Sequence, residues 1–271
     1  MIKQAIIPLA GLGTRLLPLT SVIPKELLPI NGKPGLEYIL DECIQSGIKE
    51  FIFIISKKKL SIKDYFYKDA FYRKLIRIKR KDKRLKLEYS KIKKYKKMIK
   101  FVYQNSPKGT GHAVLQCKNL VNSKYFLMVM PDDLIIKNNC SKNLIKIHKK
   151  HNASVIAAKK VDKKDVSRWG IFDLNKINKK EFKIKDVIEK PDIKSAPSRY
   201  AVIGRYILPK KIFTILKKQK SGKNGEIHIT DAIRKLILKK NKFIGHVFNG
   251  KYLDCGTMQG YINSGKEIEK L

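Results

Sequence analysis

The chain has no apolar run long enough to span a membrane, and its N-terminus lacks the charged-then-apolar pattern of an export signal, so a cytoplasmic protein with no membrane partner is expected. Cysteine is scarce: Cys43, Cys117, Cys140 and Cys255 stand without C-x-x-C spacing, which argues against a zinc site and a disulfide framework. Acidic residues are also few, 23 Asp and Glu against 61 Lys and Arg, for a formal charge of +38. Such an excess invites a nucleic-acid reading, but no nucleic-acid-binding module signature is present. The densest stretch, Arg77 to Lys100, holds thirteen Lys or Arg against two acids, yet the remainder stays strongly positive without it. The charge is global and comes with abundant isoleucine and asparagine, the pattern codon bias leaves on neutral surface positions. Non-specific polyanion binding at low salt is expected, and no specific nucleic-acid partner. A chain of 271 residues can bury roughly three quarters of its unfolded surface, enough for a sizeable core in one or two domains.

What is present is concentrated first between Gln4 and Pro34. An apolar strand, Ala5 to Leu9, breaks into the turn Ala10-Gly11-Leu12-Gly13-Thr14-Arg15, and a second basic element follows at Pro24-Lys25-Glu26. Glycines at a strand end let backbone N–H groups approach a phosphate chain, because no Cβ keeps the ligand away. Arg15 adds a planar fork suited to phosphate oxygens and Lys25 a point charge. A dinucleotide fingerprint is excluded because Leu16 stands where the third glycine should be. The phosphate loop of ordinary ATPases is excluded too: Gly32-Lys33 has Leu27 at the first glycine position and Pro34 at the last.

The run from Ala10 to Pro18, followed by Pro24 to Pro29, resembles the signature A-G-L-G-T-R-x-L-P and P-K-E-[LM]-L-P of the sugar-1-phosphate nucleotidyltransferases, in detail the bacterial UTP–glucose-1-phosphate uridylyltransferases. Thymidylyl-transferring relatives usually carry A-G-G-x-G-T-R and a K-Q pair, so the difference favours uridylyl transfer. The resemblance covers nearly the whole chain. It implies an α/β protein of three-layer, Rossmann-like type with a central mixed, mostly parallel sheet. Residues 1–271 would form one domain, with a nucleotide-binding half (1–135) and a sugar-phosphate-binding half (136–271).

Later motifs fall in the order that this resemblance requires. Pro34 can start a helix that Gly47 ends, Phe51 to Ile55 suits a strand buried on both faces, and Leu60 to Lys97 reads as helices with a polar outer face. After a strand at Lys100 to Tyr103 comes Gln104 to Val114, whose polar residue and Gly-x-Gly turn can present an amide and backbone groups to a base. The resemblance gives Gln104 and Gly109 the uracil. His112 reads as a structural helix-entry residue. The strand Tyr125 to Met130 ends in Pro131-Asp132-Asp133, and carboxylates just beyond a buried strand suit a hard cation such as Mg²⁺. The resemblance points to Asp132 as a metal ligand and leaves Asp133 as a turn or cap residue. A helix at Ser141 to His151 has Ser141 available as its N-cap, and His148 with His151 reads as a surface pair.

In the second half the resemblance assigns the sugar hydroxyls to Glu189 and phosphate to Lys190, within Glu189-Lys190-Pro191, while Gly170 and Gly204 would let backbone approach the sugar ring. Thr230 is a plausible helix cap, and His228 stands where the family usually has Gln. Asp254, in Tyr252-Leu253-Asp254-Cys255-Gly256, would be the second Mg²⁺ ligand. The implied reaction is attack by an oxygen of glucose 1-phosphate on the α-phosphorus of UTP, with pyrophosphate leaving and no covalent intermediate. Ala10, Gly11, Gly13 and Thr14 would cradle the nucleotide, Arg15 would hold the departing pyrophosphate, and Lys25 and Lys190 would offset charge. A homo-oligomer, dimer or tetramer, is expected by the same resemblance. Open alternatives are transfer of another nucleotidyl group (thymidylyl, adenylyl or guanylyl) and a regulatory paralogue that binds without turnover.

Overall fold

In the computed structural model of the chain, residues 1–222 and 225–271 are described. The first half comprises β1 (Gln4–Pro8), the short pair β2 (Pro29–Ile30) and β3 (Lys33–Pro34), α1 (Gly35–Gln45), β4 (Glu50–Ile55), α2 (Leu60–Tyr67), α3 (Ala70–Ile78), α4 (Lys83–Met98), β5 (Ile99–Tyr103), α5 (Gly109–Leu115), β6 (Tyr125–Val129) and β7 (Asp133–Ile136). The second comprises α6 (Cys140–His151), β8 (Ser154–Lys160), β9 (Gly170–Lys176), β10 (Glu181–Glu189), β11 (Tyr200–Pro209), α7 (Ile212–Lys218), α8 (Ile229–Leu238), β12 (Phe243–Val247), β13 (Lys251–Asp254) and α9 (Met258–Glu269).

One nine-stranded sheet organises the chain, in the order β5-β4-β1-β6-β11-β8-β12-β10-β9. The strands β5, β4, β1 and β6 are mutually parallel, which requires the helical crossovers that join them. Their continuous apolar sequences follow from burial on both faces. Ala5, Ile7, Phe51 and Phe53 point into one core with α1, α2, α4 and α6, whereas Ile6, Ile52 and Ile54 point into a second core with α5, α7 and α8. β11 then runs antiparallel to both β6 and β8.

The expected mixed α/β sheet is present, but the three-layer, mostly parallel description does not extend to the second half. There β10 is antiparallel to both neighbours, and β9 returns to pair with β11 at Ile171 and Ala201, closing five strands into a ring. The long sugar-side strands are twisted enough for an edge to find a second partner, a relation that strand-by-strand reading does not reveal. Two expected caps also change. Asn139, not Ser141, caps α6, its side chain accepting from Lys142 N, while Ser141 turns inward to Glu42. Thr230 lies inside α8 and donates to Glu189 instead of capping. His148 and His151 are separately partnered, by the Ala153 carbonyl and by Glu181. No helix among the described residues is long and apolar enough to cross a membrane.

Candidate active site

The carboxyl ends of β1, β6 and β5 open into a cleft of about 310 Å³. Its walls are the glycine turn after β1 (Ala10, Gly11, Gly13, Thr14), Lys25, the loop after β5 (Gln104, Gly109) and Pro131. Chain segments about a hundred residues apart meet here because parallel strands put all their outgoing loops at one end of the sheet. Every predicted nucleotide-binding residue lines this cleft.

Gln104 is buried and its amide is held from two directions. Nε2 donates to the Gly109 carbonyl at 3.2 Å and to His112 Nδ1 at 3.0 Å, which leaves Oε1 to accept from a ligand. Burial and the nearby Lys108 lower the His112 pKa, favouring the neutral ring that can accept this bond. His112 therefore orients Gln104, a more specific part than helix entry.

The glycines of this cleft differ in what demands them. Gly109 has φ +87°, and a Cβ there would stand 2.7 Å from the Ile227 carbonyl oxygen. Residues 225–229 cross over the loop after β5 as a strap: Ile227 N donates to Lys108 O, and Gly111 N donates to Ile227 O. Protein packing alone requires that glycine. Around Gly11 there is no atom within 4 Å of a Cβ position and no positive φ, so the free chain has no need of glycine there.

At the β6 end of the cleft lies the charged corner. Lys25 Nζ is 2.6 Å from Asp132 Oδ2, with only 14% and 15% of the two side chains exposed, and Arg15 approaches the same oxygen at 3.6 Å from a largely exposed position. Burial works against the Lys25 charge, but the Asp132 and Glu26 carboxylates outweigh it and its pKa is raised. Burial likewise opposes the Asp132 charge, and Lys25 overcomes it, holding that carboxyl below its usual range. Asp254 arrives on β13, whose Cα register sets it opposite Asp133 on β7. A Cβ on Gly256 would lie 2.8 Å from Asp132 Oδ2, 2.9 Å from Arg15 Nη2 and 3.2 Å from Asp254 Oδ1, so these three groups face one small space. The two carboxylates and the surrounding room fit a hard divalent cation such as Mg²⁺. That ion takes one or two protein carboxylates and fills its remaining positions with water and substrate phosphate. Among the described residues no group of three or more His, Cys, Asp or Glu could hold a metal unaided.

The predicted sugar residues form a neighbouring cluster. Glu189 pairs with Gly170 across β10 and β9, its Oε2 3.3 Å from where a Gly170 Cβ would be, and accepts from Thr230 Oγ1 at 2.9 Å. Gly204 lies on β11 beside the end of β6, where Met130 N donates to its carbonyl. Lys190 is the exception. It is exposed with φ +47°, its backbone N–H bonded to Trp169 O, and it makes no ion pair among the described residues.

Several contributors had no sequence signal strong enough to find them. Glu26, 2% exposed, takes two hydrogen bonds from Lys59 Nζ at 2.9 and 2.8 Å, so the acid of Pro24-Lys25-Glu26 anchors the turn that carries Lys25. Arg205, fully buried on β11, donates three hydrogen bonds to Glu42 on α1. Asp133, far from a simple turn residue, accepts from Gly204 N at 2.8 Å and from Tyr252 OH at 2.7 Å. Burial and the adjacent Asp132 carboxylate push its pKa up to about 6.

A strand-end cleft with glycine amides, opposed cations and paired carboxylates marks an α/β protein whose cleft chemistry suits phosphate anions. The comparison with known proteins is specific: the chain belongs to the nucleotidyl transferase family, which it matches over residues 4–270. It is 36% identical over 271 residues to the UTP–glucose-1-phosphate uridylyltransferase of Bacillus subtilis, covering 98% of this chain and 91% of that one. Among solved structures it is similar to a UDP-glucose pyrophosphorylase complexed with UDP-glucose, with TM-score 0.87, 36% identity, and 100% and 99% of the two chains covered. It is also similar to the UTP-bound enzyme of Acinetobacter baumannii, with TM-score 0.89, 30% identity, and 99% and 93% covered.

Proposed function

We propose that this protein transfers the uridylyl group of UTP to glucose 1-phosphate, giving UDP-glucose and pyrophosphate by direct in-line displacement. The observation that carries the reading is the convergence of Arg15, Lys25, Asp132 and Asp254 at the mouth of a glycine-lined cleft. The full-length similarity to a uridylyltransferase supports the substrates.

The Rossmann-like half, residues 1–135, takes the nucleotide. Gly11, free of any packing demand, admits the triphosphate to the backbone amides of the turn, with Ala10, Gly13 and Thr14 around it. Gln104 Oε1 accepts a base N–H, which uracil offers at N3 and cytosine does not. Residues 136–271 take the sugar phosphate, Glu189 accepting hydroxyl hydrogen bonds beside Gly170; Gly204, expected to approach the sugar ring, instead has its amide, carbonyl and Cβ space taken by Asp133 and Met130.

Asp132 and Asp254 would hold Mg²⁺, which when bound supplies charge neutralisation at the α-phosphate. Lys25 is positioned by Asp132 and Glu26, so its charge is fixed where two anions must approach. Arg15, exposed and only loosely paired with Asp132, is placed to hold the departing pyrophosphate. Lys190, exposed next to Glu189, is free to meet the sugar phosphate once that substrate arrives. Catalysis is then positioning and charge stabilisation without a covalent intermediate. The test is pyrophosphate release with UTP, dTTP, ATP and GTP, each against glucose 1-phosphate and galactose 1-phosphate, with and without Mg²⁺. UTP with glucose 1-phosphate should give the fastest Mg²⁺-dependent turnover. Preference for another nucleotide, or equal rates for wild type and Asp132→Asn, would refute the assignment.

A further inference from the structure

Asp133 sits where three segments of the chain, distant in sequence, meet. Strand β6 ends at Val129, and Met130 N still donates to the Gly204 carbonyl of β11. In an antiparallel ladder the Gly204 N–H would return the bond to the Met130 carbonyl. It does not. The β11–β8 register jumps between Ile203 and Tyr206, so Gly204 and Arg205 form an irregular step in the strand. The Gly204 N–H is met at 2.8 Å by Asp133 Oδ2, and the Met130 carbonyl faces Arg205 Nη1 at 3.4 Å. The carboxylate of Asp133 thus takes the acceptor place that the main chain gives up when it turns at Pro131.

The other oxygen is engaged as well. Tyr252 OH on β13 donates to Asp133 Oδ1 at 2.7 Å. The Tyr252 ring is held edge-on against Trp169, and Lys159 Nζ stands 4.8 Å from its centre. Backbone pairing joins the same strands, with Asp133 opposite Asp254 and Cys255 N donating to the Asp132 carbonyl. One side chain therefore links the segment bearing Asp132, the strand bearing Asp254 and the Gly204 step of the sugar side. A Cβ at Gly204 would collide with that carboxylate and with Met130.

We infer that Asp133 is a positioning residue that sets the separation of Asp132 and Asp254 and ties their cation site to the Gly204 step. The inference rests on the reading of Asp132 and Asp254 as cation ligands. Substrate need not touch Asp133. Its carboxylate acts through its two hydrogen bonds, and groups that orient metal ligands in this way typically change affinity or activity by about 10–100-fold when lost.

The test measures Mn²⁺ binding to the protein without substrate, by electron paramagnetic resonance of the free ion, alongside kcat and KM. It compares wild type, Asp132→Asn, Asp133→Asn and Tyr252→Phe. Asp133→Asn, which cannot accept through both positions, should bind Mn²⁺ about tenfold more weakly and lose at least about tenfold in kcat with little change in KM for UTP. Tyr252→Phe keeps the ring against Trp169 and should shift both quantities in the same direction by less. If Asp133→Asn does not fold, Tyr252→Phe decides alone. Wild-type Mn²⁺ binding and kcat in a folded Asp133→Asn, or in Tyr252→Phe when it is the only variant that folds, overturns the inference. If Asp132→Asn binds Mn²⁺ as wild type does, the cation-site reading falls, and this inference falls with it.

Discussion

Replacing Glu42 by Gln should destabilise the whole molecule, because it strands the Arg205 guanidinium in the core. Arg205 Nε donates to both Glu42 oxygens, at 3.1 and 3.2 Å, and Nη2 donates to Oε2 at 2.7 Å. Ser141 adds its N–H and hydroxyl to Oε1 at 3.0 and 2.6 Å, so the carboxylate joins α1, α6 and β11 at one point. None of the Arg205 side chain is exposed. Removing one partner of such a pair leaves an uncompensated buried charge at a cost of about 3–5 kcal/mol, whereas replacing both by apolar groups is often close to neutral. With each kcal/mol worth roughly 2–4 °C in a chain of this size, Glu42→Gln should lower Tm by about 10 °C. The double variant Glu42→Gln/Arg205→Met leaves no buried charge unpaired, its Gln amide still meeting the Ser141 donors, and should regain part of that loss. Thermal unfolding followed by circular dichroism, with the two single variants and the double variant, measures it. A Tm for Glu42→Gln within about 2 °C of wild type, or no recovery in the double variant, would refute the reasoning. A pH dependence follows from the same pair. Burial alone would raise the Glu42 pKa, but Arg205 outweighs it and the folded value lies below the unfolded one. The unfolded chain therefore binds the proton first as pH falls, and the stability contributed above the ordinary carboxylate range drains away on acidification. Wild type should lose Tm more steeply than Glu42→Gln below that range.

Other substitutions probe the site from different sides. Lys59→Met leaves the Glu26 carboxylate buried without its partner and should cost about 3–5 kcal/mol, read as a lower urea midpoint, with kcat falling because Lys25 loses its anchored turn. Gly11→Ala should keep the wild-type Tm and raise KM for UTP, whereas Gly109→Ala should lose about 1–3 kcal/mol of stability through left-handed strain and the clash with Ile227, seen as a lower Tm. Equal melting temperatures for the two alanine variants would remove the distinction between ligand-driven and packing-driven glycine. Lys190→Ala should fold as wild type does and lose roughly a hundredfold or more in rate, and a wild-type rate would take Lys190 out of the mechanism.

What the sequence determined by itself was local and ordered. The apolar runs at β1, β4 and β6 identified strands whose residues lie in the two cores, Gly47 with φ +92° followed α1 as expected, and the glycine turn after β1 lies at the cleft. These were legible because burial, helix stops and glycine turns act over a few residues. Asp132 could be placed for the same reason, standing just past a core strand. What only the tertiary structure decided was which distant groups share a space. Glu26 meets Lys59, Glu42 meets Arg205, Thr230 meets Glu189, and Asp133 meets both Gly204 and Tyr252. Such pairings depend on strand order and register, which no short window of sequence encodes. The return of β9 to β11 likewise goes with accumulated sheet twist, and it closes five strands of the sheet into a ring where a three-layer, mostly parallel sheet was expected. Residue types announce what chemistry a chain can do. The packing of a mixed sheet chooses the partner each polar group will have once water is excluded, because a buried charge left alone is too costly to keep.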